Sequence, residues 1–151
     1  MDSVFKKMNF KDSKSVVVIN APTSFEANMD AMQGLTTFVC DLAAVDKTDF
    51  IIAFCTKQAE VDAVAIEATA KLEDDGLLWF AYPKGTSKKY KCDFNRDTGW
   101  AILGEQGFEP VRAVAIDEDW SALRFRRVDY IKKMTRSFAM TEKGKERIGH
   151  K

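Results

Sequence analysis

The densest run of groups able to hold an anion is Lys84-Gly85-Thr86-Ser87-Lys88-Lys89. Gly85 lets backbone N–H groups come close to an anion, and the lysines and hydroxyls add donors. The order is not G-x-x-x-x-G-K-[ST], so this is no P-loop, and no G-x-G-x-x-G follows any apolar run. Two carboxylates could work with Lys84. Asp93 lies in Asp93-Phe94-Asn95-Arg96-Asp97, which also reads as a helix cap. Asp117 opens Asp117-Glu118-Asp119, which could hold a cation through oxygens but reads equally as a solvated hairpin tip. A metal site would need a second ligand cluster, and none is present in the sequence.

Nucleophile chemistry is poorly served. The only histidine is His150, one residue from the end, so Ser-His-Asp triads and His-ligated zinc sites are disfavoured. Cys40, Cys55 and Cys92 form no CxxC, and their odd number fits a reduced, cytoplasmic setting. Cys40 and Cys55 lie in apolar runs and are expected to be small buried hydrophobes. The neighbours of Cys92 are Lys88, Lys89 and Lys91, whose charge could lower its pKa, but the position reads first as a plain loop cysteine.

These groups need elements to position them. Val16-Val17-Val18-Ile19 and Phe50-Ile51-Ile52-Ala53-Phe54 are apolar without alternation, as in strands covered on both faces. Thr36–Cys40 is a weaker strand and Leu77–Tyr82 a further apolar one. Between them Thr23 with Glu26 suggests a capping box for a helix ending at Gly34. Thr56 suggests the cap of a longer helix from Lys57 to Leu72, stopped by Asp74-Asp75-Gly76. Asp93 or Asn95 is expected to cap a third helix containing Trp100, Ile102 and Leu103. Val111–Ile116 and Ala122–Val128 read as a hairpin, because their link is too short for a crossover. Trp79, Trp100 and Trp120 are expected in the packing. The fold class is therefore α/β: a mainly parallel sheet with helices on both faces and a C-terminal antiparallel hairpin. In such sheets ligands sit beyond the carboxyl ends of the strands. Those ends carry Asn20 to Thr23, Cys55-Thr56, Tyr82-Pro83-Lys84 and Asp117. The expected ligand-binding set is Lys84, Gly85, Thr86, Thr56, Tyr82, Asp93 and Asp117, with no metal.

Residues 1–14 read as a flexible lead-in, 15–128 as a single α/β domain, and 129–151 as a basic helix and tail. A helix is expected over Tyr130–Phe138. The 151 residues carry 23 basic and 23 acidic side chains, which argues against a whole-body field for nucleic acid. From Arg126 onward there are 9 basic and 3 acidic residues, so RNA association would run through that tail. No run suits a membrane span or a signal peptide.

Four blocks carry a resemblance: Gly76-Leu-Leu-Trp-Phe-Ala-Tyr-Pro-Lys84, Asp93-Phe-Asn-Arg-Asp-Thr-Gly-Trp100, Gly107-Phe-Glu-Pro-Val-Arg112 and Asp117-Glu-Asp-Trp-Ser-Ala-Leu-Arg-Phe125. Over residues 15–128 the chain resembles an uncharacterised bacterial domain-of-unknown-function family with the signature LWxxYPK … DxWSALRF. The resemblance implies a three-layer Rossmann-like, methyltransferase-like sandwich, with the chain similar to the later half of a class I methyltransferase sheet. In that fold a glycine-rich loop after the first strand would hold S-adenosylmethionine; here Asn20-Ala21-Pro22-Thr23 stands in its place. No cofactor is expected and no catalytic residue carries over. The resulting expectation is a non-catalytic module binding a small anion or a protein partner at the strand tips. The alternative is a reduced, methyltransferase-like transferase with Lys84 as charge stabiliser and Asp117 or Asp93 as acid or base.

Overall fold

The computed structural model describes residues 1–94 and 99–131. One six-stranded sheet has the order β2-β1-β3-β4-β6-β5. β1 (Ser15–Ile19), β2 (Thr37–Val39), β3 (Thr48–Phe54) and β4 (Leu72–Pro83) are parallel. β6 (Trp120–Arg127) is antiparallel to β4, and β5 (Phe108–Ala115) is antiparallel to β6. Two reversals return β5 to the direction of β4, so its end, with Asp117 just beyond, shares a rim with the parallel strand tips. This is the expected mainly parallel α/β sandwich with a C-terminal hairpin.

The apolar runs explain the layers. Successive strand residues face opposite ways, and in β3 both faces are buried. Phe50, Ile52 and Phe54 join one core, with Val16, Val18, Trp79 and Trp120. Ile51 and Ala53 join the other, with Val17, Phe80 and Phe125. The second core is covered by α3 (Gln58–Lys71) through Val61, Ala65 and Ala68, and by α4 (Ala101–Glu105) through Leu103. The first is covered by α1 (Ser3–Lys7), a 3-10 turn at Thr23–Phe25 and α2 (Glu26–Asp30). All three tryptophans are buried, as expected.

Several expectations change. Residues 1–14 are not a loose lead-in. Asp2 accepts hydrogen bonds from Val4 N and Phe5 N, starting α1, and Val4, Phe5, Met8 and Phe10 enter the core. Phe5 lies 5.5–6.2 Å, ring to ring, from Phe10, Phe25, Phe38 and Phe50. The lysines that dominate this segment's composition stay outside, which hides a one-turn amphipathic pattern. Thr23 caps nothing: Pro22 is the residue before the 3-10 turn and makes no side-chain cap. Cys40 is exposed, because β2 ends one residue earlier, at Val39. The chain turns into β4 already at Leu72, so Asp74-Asp75-Gly76 does not stop a helix but interrupts a strand. The tail from residue 132 on, with most of the expected Tyr130–Phe138 helix, lies outside the described residues, as do Asn95 and Asp97. Among the described residues no helix is long and apolar enough to cross a membrane.

Replacing Phe5 by Ala removes the ring that ties α1 to the sheet. Urea unfolding is expected to show a loss of about 3–5 kcal/mol; a loss under about 1 kcal/mol would mean α1 is a dispensable appendage.

Candidate functional site

The rim formed by the strand tips separates into two clusters. The first surrounds the N-terminus of α3. Glu60 Oε1 accepts from Thr56 N at 3.0 Å, Lys57 N at 3.1 Å and the Thr56 hydroxyl at 3.3 Å. Asp93 Oδ1 accepts from Gln58 N at 2.7 Å, and Asp93 N donates to Thr56 O at 2.9 Å. Gln58 Nε2 donates to Gly99 O and to Asp62. A helix N-terminus draws anions because its first amides lack partners. Here two of the protein's own carboxylates fill that role.

Two expectations are revised by this arrangement. Thr56 is not the cap: Lys57 holds that position, and the Thr56 hydroxyl donates to Glu60. Asp93 does not cap α4, which starts at Ala101; it serves α3 from 35 residues away. Glu60 and Gln58 were not singled out in the sequence. The signal was available in Glu60, three residues after the cap, the spacing of a capping box.

The second cluster joins the Lys84 loop to the hairpin. Lys84 N donates to Asp119 O at 2.8 Å, and Ser87 Oγ donates to Asp119 Oδ1 at 2.8 Å. Asp117 Oδ1 accepts from Asp119 N and Trp120 N, both at 2.8 Å, as an Asx turn does. The Lys84 side chain is half-buried, and among the described residues its ammonium has no hydrogen-bond or ion-pair partner. Gly85 and Thr86 are exposed. A Cβ on Gly85 would meet open space, so this position needs no glycine for room. Tyr82, half-buried, pairs with Ser121 across the ladder and packs its ring 5.6 Å from Trp100. Thus Thr56 meets Asp93, and Lys84 meets the Asp117 hairpin. Among the described residues no hydrogen bond or ion pair joins the Lys84 ammonium to Asp93 or Asp117, and none gathers three metal-ligating side chains.

Neither the Cys55 nor the Cys92 thiol is activated. Burial pushes the Cys55 thiol up to about 12, with Glu60 adding to it. The Cys92 thiol is also raised: burial outweighs the hydrogen bond it makes to the Phe94 carbonyl, and Asp93 adds negative charge beside it. At the opposite end of the sheet, where β3 and β4 begin, two cavities of about 560 and 520 Å³ open. Both are lined by Glu73 and Asp74.

No protein-family model matches the chain. No curated protein matches it either. Solved structures do. A SAM dependent methyltransferase from Aquifex aeolicus superposes with a TM-score of 0.57 at 12% identity, over 83% of this chain and 88% of that one. This is a methyltransferase-like fold. Magnesium protoporphyrin IX methyltransferase from Synechocystis PCC 6803, solved with bound SAM, gives a TM-score of 0.51 at 15% identity, over 82% of this chain and 74% of that one. The N-methyltransferase NodS from Bradyrhizobium japonicum gives 0.50 at 13%, over 82% and 89%. At such identities the likeness is one of architecture.

Two outcomes follow from the first cluster. Asp93→Ala leaves the Gln58 amide without its carboxylate and should lower stability by about 1 kcal/mol, with Asp93→Asn close to wild type; equal stability of all three in denaturant titration would remove the cap. For Cys55, the unfolded thiol ionises from about pH 8.5 upward while the folded one stays protonated. Stability is then complete below that pH and falls at about 1.4 kcal/mol per pH unit as pH rises toward the folded value. Cys55→Ala should flatten this alkaline slope; an unchanged slope would place its cause elsewhere.

Proposed function

We propose that this methyltransferase-like scaffold is a non-catalytic module that binds a small anion or a protein partner at the strand-tip rim, through Lys84 with Gly85 and Thr86. The carrying observation is the half-buried Lys84 side chain, whose ammonium has no ion-pair partner among the described residues, on a loop anchored to the hairpin through Asp119. A cation on an anchored loop and left unpaired is free to attract a carboxylate or phosphate. Thr56, Asp93 and Asp117 have their polar groups engaged in backbone contacts and caps, which favours a framing role for them over acid or base work. Asn20-Ala21-Pro22-Thr23 after β1, in place of a glycine turn, supports the reading without methyl transfer.

A second reading, a reduced transferase, is favoured by Asp41. In doubly wound folds the carboxylate that takes a ribose hydroxyl lies about 20 residues beyond the first strand's turn, at the neighbouring strand's tip. Asp41 follows β2, which pairs with β1, and is exposed.

Melting-shift and calorimetric titrations with inorganic phosphate, adenosine monophosphate and S-adenosylmethionine separate the two. The first reading expects anion binding that weakens at least tenfold in Lys84→Ala and is indifferent to Asp41→Ala. Tight S-adenosylmethionine binding lost in Asp41→Ala would establish the second. No anion binding, together with no protein captured through Lys84, would end the first.

A further inference from the structure

The cavity of about 560 Å³ lies where β3 and β4 begin, away from the rim, and its walls are charged. They exist because β4 leaves its ladder. Thr48 pairs with Leu72 and Phe50 with Leu77, so β3 advances two residues while β4 advances five. Glu73-Asp74-Asp75-Gly76 loops out between those pairs. Gly76 is required there: a Cβ would stand 2.8 Å from the Glu73 carbonyl oxygen and 2.8 Å from Leu72 Cδ1. Asp74 holds a φ of 24°, a strained value for a residue with a side chain. The opposite wall is the Asn9–Ser13 segment, tied down by the packing of α1.

Arg124 of β6 lines this cavity, and its side chain is only 12% exposed. Its Nε is buried without a hydrogen-bond partner, and its nearest carboxylate contact is long, Nη2 to Asp75 Oδ1 at 3.6 Å. Asp75 is engaged elsewhere, because Arg126 takes both of its oxygens at 2.7 and 2.6 Å. Arg112 pairs with Arg124 across the ladder, adding like charge. A desolvated guanidinium with an unfilled donor is costly, and a bidentate carboxylate is the acceptor that best relieves it. Around it stand Asp12, Asp49 and Glu73, all exposed and, among the described residues, without ion-pair partners; Lys11 is the only other cation in the lining.

We propose that this cavity is a second binding site, for a small amino-acid-like zwitterion bearing an extra cationic group, its carboxylate on Arg124 and its cationic groups on Asp49, Glu73 and Asp12. The volume lies within the range of small-molecule sites. A carboxylate alone would be repelled by the acidic walls. A polyamine would leave Arg124 unfilled. A molecule carrying both signs, with positive charge in excess, satisfies the whole lining.

Calorimetry on the full chain with L-lysine and L-arginine tests this, with cadaverine (the same cation without the carboxylate) and L-alanine as controls. The expected result is saturable binding of the basic amino acids, at least tenfold weaker for either control. Glu73→Gln with Asp49→Asn, both exposed and outside the core, should weaken L-lysine at least tenfold, while Lys84→Ala at the far rim leaves it unchanged. Arg124→Lys should bind more weakly as well; if that variant fails to fold, the carboxylate pair decides. Absence of L-lysine and L-arginine binding at 10 mM, cadaverine binding as tightly, or full affinity in the Glu73/Asp49 variant would each overturn the proposal.

Discussion

A strand that is apolar on both faces cannot leave either face in water. In β3 every residue from Phe50 to Phe54 is buried, and in β4 so are Leu78 to Ala81. Helical cover is therefore needed above and below, and the chain supplies it with α1 and α2 on one side and α3 and α4 on the other. Cover on both sides fits parallel strands joined through helices, and parallel strands send all their tips to one rim. Even the final hairpin obeys this frame. β6 runs back along β4, and β5 returns to put Asp117 beside the Lys84 loop. Burying Phe5, Phe25, Trp79 and Trp120 in one layer and Phe80, Trp100 and Phe125 in the other thus fixes where polar groups can meet.

The rim uses much of that polarity on itself. Amides at the start of α3 are held by Glu60 and Asp93, and those at the hairpin tip by Asp117. Each such bond contributes about 1 kcal/mol and stiffens a loop that would otherwise sample many shapes. The same bonds hold Glu60, Asp93 and Asp117 against the backbone and turn their oxygens toward the protein itself. Among the described residues the Lys84 ammonium also lacks a hydrogen-bond or ion-pair partner, the observation on which the proposed anion site rests.

Much of the fold was legible because long apolar runs leave few alternatives. The strand–helix alternation through α3 and the closing hairpin could be read from Val16–Ile19, Phe50–Phe54, Leu77–Tyr82 and the short link, four residues in the structure, between β5 and β6. Short elements escaped for a physical reason. One turn of helix such as Ser3–Lys7 has too few residues for periodicity to rise above its lysines, and its stability comes from Phe5 packing on distant rings. The rim was located correctly, since tips follow from strand direction. Its internal wiring was not. That Asp93 caps α3 and not α4 depends on a contact across 35 residues, which no local spacing records. The surroundings of the Cys92 thiol are equally non-local: burial by the fold, with Asp93 beside it, sets its direction.

The Glu73–Gly76 excursion stands apart from all of this. The core does not need it: Leu72 and Leu77 flank it, and β3 passes it with a single residue, Asp49, between the two paired positions. It gathers three like charges, a positive φ at Asp74 and a glycine without room for a Cβ, next to a half-satisfied Arg124. Every one of those features works against stability. Arg126 on Asp75 and Arg127 on the carbonyls of Thr69 and Leu72 offset part of that cost, but among the described residues they leave Asp12, Asp49 and Glu73 of the 560 Å³ cavity without ion-pair partners. A domain otherwise consistent from propensity to packing violates its own rules in one place. Such places are where a fold accommodates something other than itself.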